Sequence, residues 1–276
     1  MSLLRKRNMA KDKKWNRVIL WLMLLGTVYI MALSAYNLWG IYQMYAEGDR
    51  TYEKIISEVR PSDAVAPVVS PPPTNTETAE PEPALEIPPL GINYAQLTQV
   101  NADAAGWLYC PGTAIDYPVM KASDYEWYLR HLPDGTYNLS GSLFLEYHCA
   151  QDFSGQLSII YGHNMKNGKM FSALTDYKEQ EYFERHPYLY LYTQQGNYRI
   201  DLIYGCLVGA GEWSERNFML EGSLPLLLDY AAGSTTFESG EEYSIDSDRF
   251  IALSTCSYEF NDARYVVIGV LKPECP

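Results

Sequence analysis

The chain has few of the residues that build metal sites and few of the cations that bind a polyanion. Among its 276 residues are four histidines and five cysteines, with no CxxC pair and no two histidines at the i, i+4 spacing of a helical zinc site. A structural metal is therefore not expected. Residues 91–276 hold 11 Lys/Arg against 24 Asp/Glu, which disfavours nucleic-acid binding through phosphate neutralisation.

Charged residues are absent from Val18 to Ala46, a stretch longer than the ~20 residues needed to cross a bilayer. The preceding segment, 1–17, carries seven cations and one acid. This pattern predicts a transmembrane signal-anchor over residues 18–46, with 1–17 in the cytoplasm and the rest of the chain outside the cell. The alternative is a cleaved signal peptide, since Ala32-Leu33-Ser34-Ala35 offers small residues, but the apolar stretch exceeds the usual ~7–15 residues of a signal core.

Lysine and arginine are also absent from residues 61–90, which hold nine of the sixteen prolines. Proline fixes φ and withholds a backbone donor, so this acidic segment is predicted to be an extended linker. Residues 47–60, between the span and the linker, are expected either to continue the membrane helix or to form a short stalk. Residues 91–276 remain, enough for one domain with a full core.

This C-terminal segment is predicted to be mostly β, in the form of a barrel or a sandwich. Short runs rich in Ile, Val, Leu and Tyr, bounded by Gly, Pro, Asn or Asp, indicate strands. The predicted strands are 115–120, 142–145, 156–161, 188–193, 198–208, 250–255 and 265–271. Helical spacing of apolar residues predicts peripheral helices over 94–100, 170–185 and 224–230.

Cys256 has the setting of a nucleophile, because it follows an apolar strand and precedes a polar loop. Arg264 lies eight residues later, where the next strand begins. A thiolate is stabilised by nearby positive charge, and a guanidinium can also hold the negative oxygen of a tetrahedral intermediate. Cys110, Cys149 and Cys206 are interpreted instead as small buried residues, and Cys275 as unimportant.

His163 has the context of a catalytic histidine, since it follows the strand ending at Tyr161-Gly162 and opens a polar loop. A cysteine with a spatially adjacent histidine is the minimum for acyl transfer. His148 is predicted to lie on a strand beside Cys149, pointing to the opposite face. His186 is interpreted as a helix-capping or surface residue and His131 as a solvated turn residue.

At these residues the sequence resembles the sortases, the cysteine transpeptidases of Gram-positive cell surfaces, and most closely class B. Leu253-Ser254-Thr255-Cys256 followed by Arg264 resembles the family's Cys and Arg strands. The segment from Tyr161 to Phe171 resembles the class B histidine segment. The segments 101–108, 111–113, 115–119 and 141–145 resemble the N-terminal half of the family's domain. The resemblance therefore covers nearly all of residues 91–276.

The resemblance implies an eight-stranded sortase barrel with an N-terminal helical addition and peripheral helices, anchored by one transmembrane helix. It implies that Cys256 attacks a carbonyl in a C-terminal sorting signal of the Asn/Ser-Pro-x-Thr type and forms a thioester. Arg264 would stabilise the oxyanion and His163 would protonate the leaving amine. Ser254, Thr255, Tyr161 and Leu129 are candidates to line the substrate groove; for Tyr161 and Leu129 a core position is an equal alternative.

The implied partners are surface proteins that carry the sorting signal, with an amine of the cell-wall peptide or a pilin lysine as acceptor. No cofactor is required, because peptide exchange on a thiol needs neither a metal nor a redox partner. Two alternatives stay open: a cysteine peptidase that uses water as acceptor, and a non-catalytic wall-binding ectodomain. Two departures from class B are Asp124-Tyr125, where Asp-Asn is often found, and Pro225, which interrupts an expected helix.

Overall fold

A computed structural model describes residues 2–60 and 90–274, and these fall into two compact units, Met1–Glu47 and Gly48–Pro276. Nearly all of the predicted linker, 61–90, and Cys275 lie outside the described residues. The first unit is helical throughout its described part, as the beginning of α1 (Ser2–Val59). One stretch of α1, Ile19–Val59, is long and apolar enough to be a candidate membrane span.

The second unit is built on a closed barrel of eight strands, which confirms the predicted fold class. The strands are β1 (Ala104–Tyr109), β2 (Asp116–Lys121), β3 (Leu143–Leu145), β4 (Leu157–Tyr161), β5 (Tyr188–Tyr192), β6 (Asn197–Gly209), β7 (Arg249–Cys256) and β8 (Ala263–Pro273). Their order around the barrel is β1-β2-β3-β4-β7-β8-β6-β5. Closure leaves the barrel without a free sheet edge and buries an interior of aliphatic and aromatic side chains.

Two of the strand pairs are parallel and the others are antiparallel. β2 pairs with β3 and β4 pairs with β7 in parallel, so each of these pairs needs a crossover connection. The connection from β4 to β7 contains β5, β6 and most of the peripheral helices. It therefore places β4 and β7, which are distant in sequence, side by side in the barrel.

β1 is the strand that the sequence pattern did not predict. Its sequence, Ala104-Ala105-Gly106-Trp107-Leu108-Tyr109, holds residues of low strand propensity. Gly106 is required there, because a Cβ at that position would lie 2.9 Å from the carbonyl oxygen of Tyr192 on the neighbouring strand. Packing of Trp107 and Leu108, both fully buried, stabilises the strand in spite of its propensity.

The helices follow the predicted positions with two corrections. α2 (Tyr94–Val100) has the predicted bounds. The helix predicted over 170–185 is instead a 3-10 helix, Ser172–Lys178, followed by α3 (Gln180–Arg185), because Glu179 is extended between them and Met170 has a φ of 56°. Further helices are α4 (Ala210–Glu215) and α5 (Leu224–Ser234). Pro225 does not interrupt α5 but lies in its first turn, where the missing N–H costs nothing.

Residues 48–59, for which a stalk was one expectation, continue α1 and pack against the barrel. Tyr52, Ile55 and Val59 are buried. The Tyr52 hydroxyl donates to the carbonyl oxygen of Gly141 at 2.6 Å, and the ring meets Tyr117 edge-on at 5.1 Å. Apolar burial on one face of the helix thus makes this segment part of the second unit.

Candidate active site

Cys256 and His163 follow two strands that run side by side in the same direction. β4 and β7 pair in parallel with Tyr161 opposite Ser254. β4 ends at Tyr161, two residues before His163, and β7 ends at Cys256. The two ends therefore meet at one rim of the barrel, as the sequence pattern predicted.

Hydrogen bonds continue the connection between these strands beyond their ends. The Gly162 N–H donates to the carbonyl oxygen of Ser254 at 3.2 Å, and the Thr255 hydroxyl donates to the carbonyl oxygen of Gly162 at 2.8 Å. The Asn164 side-chain amide donates to the carbonyl oxygen of Cys256 at 2.9 Å. The histidine loop and the cysteine strand thus share a bonded backbone frame, which fixes both in position.

Arg264 stands beside Cys256 on the other side. The two residues are directly opposite each other in the antiparallel β7–β8 pair, an arrangement that puts Cβ atoms about 4.5–5.5 Å apart. The Arg264 guanidinium carbon lies 5.8 Å from the ring centroid of Tyr161. Within the part of the chain that the structure describes, the buried Nε of Arg264 has no hydrogen-bond partner. Arg264, a cation with an N–H donor that has no partner among the described residues, therefore lies next to the exposed thiol of Cys256.

His163 is oriented by a backbone carbonyl. Its Nε2 lies 2.8 Å from the carbonyl oxygen of Leu129, which ends the 3-10 helix Trp127–Leu129. Because a carbonyl only accepts, Nε2 carries a proton, and Nδ1 is left as the nitrogen that can exchange one. The Phe171 N–H donates to the carbonyl oxygen of His163 at 2.9 Å and closes the loop.

A cavity of about 460 Å³ brings these groups together. All seven site residues predicted from the sequence line it: Leu129, Tyr161, His163, Ser254, Thr255, Cys256 and Arg264. Its other walls include Phe144 and Trp213. Ionisable side chains and apolar walls at one opening are the usual composition of a ligand site.

The remaining predicted residues differ in whether their polar atoms have hydrogen-bond partners. The Ser254 hydroxyl is buried and has no partner among the described residues. The Tyr161 hydroxyl accepts from Nε1 of Trp213 at 3.2 Å. Burial raises the pKa of Tyr161 to about 12, so its phenol stays protonated at neutral pH. Tyr161 is thus part of the floor of the cavity and also of the buried core.

The three other cysteines that the structure describes are free thiols in different surroundings. Cys110 and Cys206 are fully buried, as expected, and burial raises the pKa of Cys110 and raises that of Cys206 to about 12. The expectation that Cys149 is buried is wrong, because it is only partly covered. Cys256 is the exposed cysteine among the four that the structure describes.

The three histidines outside the cavity are held by local contacts. His186 ends α3 as its C-cap, and its Nδ1 lies 3.0 Å from the carbonyl oxygen of Pro111. His131 stacks on Trp127 at 3.7 Å between ring centroids. His148 lies in a turn rather than on a strand, so the expected geometry for it is wrong.

Comparison with known proteins identifies relatives of this chain. The sortase B of Listeria monocytogenes is 30% identical over 182 residues, which are 63% of this chain and 72% of that protein. The chain belongs to the class B sortases. Class B sortases are cysteine transpeptidases, and the chain is therefore an enzyme of that kind. No protein-family model matches it.

Solved sortase structures share the fold of this sortase. Sortase B of Clostridium perfringens aligns with a TM-score of 0.59 at 25% identity, over 64% of this chain and 98% of that one. Sortase B of Bacillus anthracis aligns with a TM-score of 0.62 at 21% identity, over 84% of this chain and all of that one. The eight-stranded barrel is thus the fold of the family.

Sequence reasoning missed several residues of the cavity. Tyr125, Tyr147, Trp213 and Met219 line it but come from loops and helices with no strand-end pattern. Asn164 does not line the cavity but supports it, and its sequence position gave a signal, since it directly follows His163 in the segment that carried the resemblance. Its bond to the Cys256 carbonyl is a long-range contact that no local pattern reveals.

Proposed function

We propose that this sortase cleaves an Asn/Ser-Pro-x-Thr-type sorting signal and transfers the protein that carries it to an amine of the cell-wall peptide. The observation that supports this is the common cavity of Cys256, His163 and Arg264, formed by the parallel β4–β7 pair and the antiparallel β7–β8 pair. A nucleophile, a proton donor and an oxyanion partner are the three groups that acyl transfer requires.

In the first half of the reaction the Cys256 thiol gives its proton to Nδ1 of His163, and its sulfur attacks the carbonyl carbon of the signal threonine. The carbonyl oxygen becomes an oxyanion, which the Arg264 guanidinium holds with directed hydrogen bonds. The C–N bond then breaks, and the leaving amine takes a proton from Nδ1 of His163. A thioester to Cys256 remains.

In the second half an incoming amine attacks the thioester carbonyl. His163 accepts the proton that this amine loses, and the Cys256 sulfur leaves as the new amide forms. Because Nε2 is occupied by the Leu129 carbonyl, the same nitrogen, Nδ1, serves both halves.

The chain organisation suits this role. We propose that residues 18–46 anchor the enzyme in the membrane, with the basic segment 1–17 in the cytoplasm. Residues 61–90 would then be a linker, and residues 91–276 would form the catalytic domain on the outer surface, with the helical segment 48–59 packed against its barrel. A reporter fused after Pro276 tests the topology: a reporter that is active only in the cytoplasm should stay inactive, and its activity would contradict the assignment.

The reaction is tested with the full chain in detergent micelles and an Asn-Pro-Gln-Thr-Gly peptide. Mass spectrometry should find the acyl group on Cys256, and no adduct on the Cys256→Ala variant. Cys149→Ala is the matched control and should form the adduct normally. A Cys256→Ala variant that still cleaves the peptide would rule out the mechanism.

The acceptor is tested by product analysis with added amines. A glycine peptide should give a ligated product, whereas its absence with rapid hydrolysis would indicate a peptidase that uses water. Ligation only to a lysine-bearing pilin peptide would indicate fibre assembly in place of wall attachment. All three acceptors compete for the same thioester, so the product ratio identifies the acceptor.

A further inference from the structure

A side chain continues the pairing of β4 and β7 beyond the point where the backbone ladder stops. Among the described residues, the last backbone hydrogen bond between the two segments runs from the Gly162 N–H to the carbonyl oxygen of Ser254. In a parallel pair the next bond in this direction runs two positions further along each strand, from residue 164 to residue 256. The structure has a bond there, but Nδ2 of the Asn164 side chain donates it to the Cys256 carbonyl oxygen, at 2.9 Å.

Thr255 supplies a matching bond from the cysteine strand. In the same register the Gly162 carbonyl oxygen is the next acceptor for β7, and the Thr255 hydroxyl donates to it at 2.8 Å. Thr255 is buried, so this bond is shielded from water. The two side-chain bonds run in opposite directions and end on residues 162 and 164, which flank His163.

The backbone of Asn164 is held from the far side of the histidine loop. Asn164 forms an isolated antiparallel bridge with Met170. The Met170 N–H donates in turn to the Tyr117 hydroxyl at 3.2 Å, and Tyr117 belongs to β2 of the barrel. The Asn164 side chain therefore reaches the cysteine strand from a backbone that is itself tied to the barrel.

A bond through a side chain has a different effect from a bond of the ladder. A side-chain amide extends further from its Cα than a backbone N–H does, so the two segments can separate at the rim of the barrel and still remain bonded. The cavity opens at this rim, with Cys256 and His163 both in its lining. Asn164 thus links the two catalytic segments where the ladder no longer does.

We propose that Asn164, together with Thr255, is a positioning residue that fixes His163 relative to Cys256 for proton transfer. The inference rests on the proposed function, in which His163 takes the thiol proton and then protonates the leaving amine. Proton transfer depends on hydrogen-bond reach, and a misplacement of about 1 Å can cost about 10²-fold in rate. Loss of the Asn164 bond should therefore slow the steps that use His163 and leave peptide binding nearly unchanged.

The test compares two acyl donors that differ in the leaving group, using the full chain in detergent micelles. One is the Asn-Pro-Gln-Thr-Gly peptide, whose leaving amine must be protonated, and the other is the p-nitrophenyl ester of Asn-Pro-Gln-Thr, which releases a stable anion without a proton. Acylation of Cys256 is measured in a single turnover. In Asn164→Ala the loss of rate with the peptide should exceed the loss with the ester on the order of tenfold, because the ester needs only the first proton transfer.

Asn167→Ala is the matched control for this comparison. Asn167 is an exposed asparagine of the same loop, and its Oδ1 accepts from the Lys169 N–H at 3.2 Å without reaching the cysteine strand. The control should be acylated by both donors at the rates of the natural enzyme. Thermal melts of all variants show whether each is folded.

Thr255 provides a second test, which does not depend on the folding of Asn164→Ala. Thr255→Val keeps the shape of the side chain but removes the donor, and it should show the same selective loss with the peptide. Thr255→Ser keeps the hydroxyl and should recover most of that loss. The two Thr255 variants are compared with each other because this residue also lines the cavity.

The outcomes distinguish this inference from the proposed function. Acylation at natural rates in Asn164→Ala and Thr255→Val would overturn the positioning role and leave the sortase reaction intact. Equal losses with the peptide and the ester would overturn it too, because the effect would then not depend on protonation of the leaving group. Failure of either donor to acylate the natural enzyme would overturn both proposals. A loss selective for the peptide, recovered by Thr255→Ser, would support the inference.

Discussion

Cys256 and Arg264 are cross-strand partners at the open end of the β7–β8 pair, with the loop 257–262 between them. Their separation is therefore set by the ladder of strand hydrogen bonds and not by the conformation of the loop. The guanidinium is also supported by the Tyr161 ring below it. A group held in this way can stabilise charge without reorganising during the reaction.

The geometry of the cationic group at position 264, as well as its charge, should affect kcat. Arg264→Lys keeps the charge but loses the planar set of donors, so kcat should fall on the order of 10²- to 10³-fold, the usual cost of removing one oxyanion donor. Measuring kcat against pH, together with the thermal melt, checks this. Arg185→Lys, on the exposed surface of α3, should behave like the natural enzyme. An unchanged kcat in Arg264→Lys would remove the residue from the catalytic groups.

Thiol reagents should distinguish the cysteines by exposure. In a Cys275→Ser background, iodoacetamide should label Cys256 first, because it is exposed while Cys110 and Cys206 are buried with raised pKa values. Peptide mapping by mass spectrometry gives the order of labelling. Early labelling of Cys206 in the folded enzyme would contradict the described packing.

Gly162 should tolerate no side chain. A Cβ there would clash with the Leu143 side chain and lie 2.6 Å from Cδ2 of Phe171. Gly162→Ala should therefore lower the free energy of unfolding by about 1–3 kcal/mol and displace His163, with a loss of kcat. Gly211→Ala in α4, where the added Cβ meets nothing within 4 Å, is the control and should be neutral or slightly stabilising. Urea unfolding and turnover measure both effects.

The loop 257–262, which follows Cys256, should be held in place by hydrogen bonds to Glu259, an acid with a low pKa. The Lys178 ammonium and the Ser257 hydroxyl both donate hydrogen bonds to Glu259. These bonds, and that of Lys178 most strongly, lower the pKa of Glu259 from 4.5 to about 2. A depressed pKa means a stabilising contribution that is present above pH 4.5 and is lost as the pH falls towards 2.

Carboxyl titration by NMR checks this assignment. Lys178→Met should return the Glu259 pKa towards 4.5 and increase the mobility of the loop 257–262. Lys166→Met, on the exposed part of the histidine loop, should leave the Glu259 pKa low. A Glu259 pKa near 4.5 in the natural enzyme would show that the ion pair does not form in solution.

Strand ends were the part of the site that the sequence predicted well. Apolar runs bounded by Gly or polar loops identify where a strand stops, and both His163 and Cys256 stand at such stops. The same runs predicted a mostly β domain, a barrel or a sandwich, and the resemblance to the sortases specified the eight-stranded barrel. The local sequence pattern was sufficient there because a strand that is buried in the core is itself rich in apolar residues.

Contacts between distant segments could not be predicted in this way. The wall formed by Tyr125 depends on Glu146, which lies in another loop, and the orientation of His163 depends on a backbone carbonyl at Leu129. β1 was missed because the packing of Trp107 outweighs the low strand propensity of its alanines and glycine. Each of these features is set by tertiary packing, which a window of neighbouring residues does not contain.

The burial of Tyr52, Ile55 and Val59 decides where the enzyme can be shortened. A truncation at residue 90 would remove the helical turns that cover the Tyr117 ring and would leave the Gly141 carbonyl without the Tyr52 hydroxyl. The exposed apolar surface would favour aggregation during expression. A soluble form that starts near Gly48 keeps this cover, so the natural starting point for crystallisation lies before the proline-rich segment and not after it.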